Sequence, residues 1–144
     1  MKVLILSISA GGGHGTAAEA LKDYIVLRAP QSEIQIIDTL KYINPIIDKV
    51  VIGGYLKSLK VYPDLYGKLY TYSEYDYKIT SVISSRLIEA MTCKLLPLIN
   101  DFNPDILIST HSFSAEMLSV LKSKYNMTIP CMSIILIIPG FILI

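Results

Sequence analysis

Val3 to Ser9, VLILSIS, carries no charge and runs almost directly into three glycines, Gly11, Gly12 and Gly13. A short apolar, partly β-branched run bounded by glycine reads as a strand buried on both faces. His14 to Arg28 follows, with Ala17, Ala18, Leu21, Tyr24 and Ile25 on one stripe at the helical period, and Ala29-Pro30 ends it. Ile34 to Asp38, IQIID, is a second strand. Strand, glycine turn, helix and strand in that order predict a parallel sheet joined by a right-handed crossover.

The remainder extends the same plan. Asn44 to Phe102 is mostly helical by pattern, and Gly53-Gly54, Pro63, Gly67 and Pro97 divide it into two or three helices. Ile79, Val82, Ile83, Leu87, Met91, Leu95 and Leu98 recur at three and four and mark the longest of these. Asp105 to Ser109, DILIS, predicts a third strand. Ser112 to Tyr125 predicts a helix with Phe113, Met117, Leu118 and Leu121 on one face and Ser112 as its N-cap. Cys131 to Ile138 would be a fourth strand. At 144 residues the chain suits one domain with a real core, and the expected fold is α/β, a Rossmann-like parallel sheet flanked by helices.

A net charge of +1 gives no global attraction to nucleic acid or to an anionic surface. The 52% hydrophobic content implies a dense core or apolar surface that awaits a partner. Cys93 and Cys131 lack CxxC spacing, which argues against a disulfide scaffold or a zinc site and fits a reducing cytoplasm; no metal or cofactor is expected. Lys2 followed by Val3 to Ile8 is too short an apolar run for a secretion signal. After Lys124 no charged residue occurs, and PCMSIILIIPGFILI closes the sequence. A membrane span is one reading of this stretch, but Pro139-Gly140 interrupts it; a buried strand followed by an apolar tail over 139–144 is the other.

Open parallel sheets bind ligands at the carboxyl ends of their strands. Three glycines allow close backbone approach there, and the free amides at the start of the following helix favour oxygen-rich groups. Known nucleotide fingerprints do not fit: GxGxxG would need glycine where Thr16 stands, and no GK[ST] ending is present. Asp38 has the placement of a ribose-binding acid or, more simply, of a helix-cap aspartate, and NAD is not inferred. His14 lies where the helix dipole disfavours positive charge, so a neutral imidazole is available as a general base for a hydroxyl; a capping or packing histidine is the competing reading. His111, in STHSFSAE, falls at the carboxyl end of the third strand, on the same rim.

Seven tyrosines occur from Tyr55 to Tyr77, interleaved with Lys57, Lys60 and Lys68. Tyr62, Tyr66, Tyr70, Lys60 and Lys68 suit the headgroup layer of a bilayer, with apolar bodies and polar tips. Alternatively Tyr55, Leu59, Tyr62, Tyr66 and Tyr70 form a helical stripe packed on the sheet. Nucleic acid fits poorly, because the segment has no arginine and carries Asp64, Glu74 and Asp76.

SISAGGGHGTAAEAL resembles the amino-terminal motif of the monogalactosyldiacylglycerol synthase and processive diacylglycerol glucosyltransferase family, and NPDILISTHSFSAEMLSVLK resembles its second signature. The resemblance covers residues 1 to about 135. It implies a GT-B glycosyltransferase that moves a hexose from a nucleotide sugar to diacylglycerol or a glycolipid acceptor, as a peripheral protein on the inner face of the cell membrane. Residues 1–138 would be the acceptor-binding Rossmann-like domain. His14 would be the base that deprotonates the acceptor hydroxyl, with Gly11, Gly12, Gly13 and His111 near the acceptor and the donor phosphates. Two departures accompany the likeness. Family members continue past Ile134-Ile135 with an aspartate-bearing turn and aromatic residues, where this sequence has LIIPGFILI, and they possess a second domain for the nucleotide sugar. The expectation is therefore a truncated or frameshifted product, inactive alone. A non-catalytic membrane or ligand-binding domain, and half of a polyprenyl-lipid N-acetylglucosaminyltransferase, are the alternatives.

Overall fold

A computed structural model of the chain describes residues 1–9, 12–46 and 86–134. Its elements are β1 (Lys2–Ser7), α1 (Gly13–Arg28), β2 (Glu33–Asp38) and α2 (Thr39–Ile43). After these come a helical stretch over 86–92, a 3-10 turn (Cys93–Leu95), α3 (Leu96–Phe102), β3 (Ile106–Ser109), α4 (Ser112–Lys124) and β4 (Cys131–Ser133). The four strands form one sheet in the order β2-β1-β3-β4, and every pairing is parallel. The fold is the expected Rossmann-like α/β sheet. The tyrosine segment, including Tyr62, Tyr66, Tyr70, Lys60 and Lys68, lies outside the described residues, as do Gly11 and the apolar tail.

β1 is central, and its alternation divides the core. Val3 and Ile5 pack with Ala18, Leu21 and Ile25 of α1 on one face. Leu4, Leu6 and Ile8 pack with Leu107, Met91, Leu95, Met117 and Leu121 on the other. Each such side chain contributes roughly 1.5–3 kcal/mol when taken from water, so the uncharged run is dictated by burial on both sides. The chain leaves β1 toward β2 in one direction and leaves β3 toward β4 in the other. Right-handed crossovers taken in opposite directions put α1 and α4 on opposite faces, and the switch falls between the carboxyl ends of β1 and β3.

Three local expectations are corrected. Tyr24 is not on the buried stripe of α1: it is 56% exposed, with the Arg28 guanidinium 5.4 Å from its ring centroid. The long helix through Leu98 is broken, because Pro97 has no amide to donate to Cys93; the Leu96 N–H bonds the Cys93 carbonyl instead, tightening the backbone into a 3-10 turn, and Pro97 sits in the first turn of α3. The N-cap of α4 is His111 rather than Ser112: His111 has extended backbone, and its Nδ1 accepts the Phe113 N–H at 3.1 Å.

Candidate functional site

The turn between β1 and α1 depends on Gly12. Its φ of +78° is a conformation that side-chain-bearing residues rarely adopt, although a Cβ there would meet nothing within 4 Å. The backbone angle, not space, therefore requires glycine. The Gly12 carbonyl accepts from both the amide and the hydroxyl of Thr16, each at 3.1 Å, which closes the first turn of α1. No acidic residue occupies that turn. Gly13 and His14 thus begin the helix at the carboxyl edge of the sheet, beside the switch point.

His14 is half-buried and spans to the other loop of that edge. Its Nδ1 lies 2.5 Å from the Thr110 carbonyl oxygen. A carbonyl can only accept, so Nδ1 carries the hydrogen, and in the neutral ring the lone pair is on Nε2. Thr110 is itself fixed three ways and fully buried. Its N–H donates to the Leu6 carbonyl at 3.1 Å, its hydroxyl donates to Ser7 Oγ at 3.0 Å, and its carbonyl holds His14.

His111 stands against His14 edge to face, ring centroids 4.4 Å apart. The Ser109 hydroxyl donates to the His111 carbonyl at 2.8 Å, which stiffens the turn after β3. Burial holds the His111 imidazole below its ordinary pKa, and the neighbouring His14 adds to this by repulsion. Acceptance of the Phe113 N–H requires the same neutral form.

A second polar group occupies the same edge beyond β2. Asp38 caps α2 by accepting the Lys41 N–H at 3.2 Å, takes the Ser9 N–H at 3.1 Å and bonds the Ser9 hydroxyl; Lys41 Nζ lies 3.2 Å from its carboxylate. Burial raises the Asp38 pKa, but the bonds from Ser9 and Lys41, with the Lys41 charge, outweigh it and leave the carboxyl below its usual range. The helix-cap reading of Asp38 is the observed one.

Of the expected site residues, the structure brings His14 and His111 together and sets Gly12 and Gly13 at the same edge. Sequence reasoning missed Thr110 and Ser7, whose signal is faint: small hydroxyl residues at the carboxyl ends of strands that are otherwise aliphatic. Among the described residues there is no group of three or more potential metal ligands, and no helix long and apolar enough to cross a membrane.

No curated protein and no solved structure matches the chain. The sequence model of the family described as monogalactosyldiacylglycerol (MGDG) synthase matches residues 14–137, a range that starts at His14 and includes His111. With most of its length matched, the chain belongs to the MGDG synthase family and is a glycosyltransferase-like domain of lipid glycosylation.

Proposed function

We propose that the chain is the acceptor-binding domain of a glycosyltransferase that transfers a hexose from a nucleotide sugar to diacylglycerol at a membrane surface, with His14 as general base. The observation that carries this reading is the commitment of His14 Nδ1–H to the Thr110 carbonyl at 2.5 Å, which leaves Nε2 as a proton acceptor at the switch point of the sheet. In the transfer, the acceptor oxygen forms a bond to the anomeric carbon. The bond from that carbon to the nucleotide diphosphate breaks, and the diphosphate leaves with the electron pair. An alcohol is a poor nucleophile while protonated, so its proton must pass to a base in the transition state; Nε2 receives it. The Thr110 carbonyl then faces an imidazolium, which its dipole stabilises. The amides opening α1, unopposed by any acid in the first turn, suit an oxygen-rich or anionic group beside the base. The chain would work from the cytoplasm, as a peripheral protein on the inner face of the cell membrane, and would depend on a nucleotide-sugar-binding domain for the donor.

The test combines the chain with a nucleotide-sugar-binding domain of the same family supplied in trans, UDP-galactose or UDP-glucose, and vesicles containing diacylglycerol. Turnover that falls about 10²- to 10⁴-fold in His14→Gln, with the fold retained, is the expected result. Equal turnover in His14→Gln would remove the base assignment. Binding to the vesicles without turnover in any combination would favour a non-catalytic lipid-binding domain.

A further inference from the structure

The two imidazoles at the sheet edge are bound by backbone groups of opposite kind. His14 Nδ1 meets a carbonyl, that of Thr110, and must donate. His111 Nδ1 meets an amide, that of Phe113, and must accept. We propose that the turn after β3 fixes the two histidines in opposite neutral tautomers, Nδ1–H for His14 and Nε2–H for His111, and that Thr110 is the positioning residue that sets the first. The pair then offers one bare ring nitrogen, His14 Nε2, and one ring N–H, His111 Nε2–H. These two groups match a hydroxyl that gives up its proton and a neighbouring oxygen, such as one of a phosphate, that accepts a hydrogen bond.

Thr110 suits this role because nothing about it is free to shift. Its hydroxyl bonds Ser7 within the core, both residues being buried, and its amide continues the ladder from Leu6. A carbonyl held so firmly discriminates between tautomers, because the alternative would set a ring lone pair against a carbonyl lone pair at 2.5 Å. The chemical purpose of the arrangement rests on the reading of His14 as base, whereas the tautomers themselves do not.

Two-bond 15N–1H correlation spectra of the histidine-labelled chain near pH 7.5 test this directly. For His14 the expected result is a protonated Nδ1 and a bare Nε2, and for His111 the reverse. Thr110→Val removes the hydroxyl anchor but keeps the carbonyl; the His14 nitrogens should move toward averaged shifts while His111 keeps its pattern, and Thr110→Ser should restore the wild-type pattern. A bare Nδ1 on His14, or a protonated Nδ1 on neutral His111, in the wild-type chain would overturn the proposal. Should the tautomers be as stated while His14→Gln retains turnover, the base assignment fails and this one stands.

Discussion

His14 and His111 come from opposite sides of the switch point and meet with their ring planes 63° apart, one opening α1 and the other capping α4. Two imidazolium ions could not share that contact cheaply. Burial lowers the His111 pKa and its helix-capping bond requires the neutral ring, so under the role proposed for His14 the proton released by an acceptor hydroxyl goes to His14 and not to His111.

The capping role of His111 is separable from its ring. His111→Ala should lower the stability of the chain by about 1 kcal/mol, the usual loss for an N-cap acceptor. His111→Asn supplies another acceptor for the amides of the first turn and should recover most of that loss. Urea unfolding of the three proteins, with unchanged slope, measures the difference. Equal loss in both variants would mean that ring packing, not the cap, is what His111 contributes.

Stability should depend on pH in two windows with the same sign. His111 binds its proton less readily folded than unfolded, so stability is fully present above about its ordinary value of 6.5 and is lost as pH falls through the lowered folded value. Asp38, also depressed, contributes stability that is present above about 3.8 and is lost as pH falls through its folded value. Unfolding free energy measured from pH 8 downward should therefore decline in one step that begins below about 6.5 and in a second that begins below about 3.8. His111→Asn should remove the upper step and leave the lower one, and a His111 midpoint above 6.5 in an NMR titration would contradict this.

Much of this was legible beforehand, for reasons tied to particular residues. The aliphatic alternation of Val3 to Leu6 can be satisfied only between two covered faces, and the period through Ala18, Leu21 and Ile25 supplies one cover. The His14–His111 meeting was foreseen as far as a common rim, because both follow a strand of a parallel sheet. What stayed hidden depends on partners distant in sequence. The capping of α4 by His111 rather than Ser112 is decided by the extended backbone that Ser109 and Thr110 impose through their bonds to His111 and to β1. The exposure of Tyr24 follows from how α1 is rotated onto the sheet, which a stripe spanning two edge positions does not specify.

Gly12 and Gly15 make opposite predictions from equally open surroundings, since a Cβ at either would meet nothing within 4 Å. Gly12 has φ +78°, so Gly12→Ala forces an alanine into a disfavoured conformation at a cost of about 1–2 kcal/mol. Gly15 lies within α1, where alanine is the better helix former, so Gly15→Ala should stabilise by about 0.5–1 kcal/mol. Thermal or urea unfolding of both variants checks the pair. A neutral Gly12→Ala would mean that the turn relaxes, and with it the approach of His14 to Thr110.

The tyrosine segment yields the last prediction, because its two readings diverge under one substitution. If Tyr66 and Tyr70 rest in the headgroup layer, replacing both by serine removes amphipathic rings from the interface while Lys60 and Lys68 still attract anionic lipid. Partitioning onto vesicles containing phosphatidylglycerol should then fall roughly tenfold, equivalent to about 1.4 kcal/mol, with the unfolding midpoint unchanged. If instead the rings pack on the sheet, the same change leaves partitioning intact and lowers the unfolding midpoint, as loss of large buried side chains does. Flotation and urea unfolding on the one double variant therefore separate a membrane contact from a core stripe, and added salt, which weakens only the lysine contribution, shows how much of the attachment belongs to the rings.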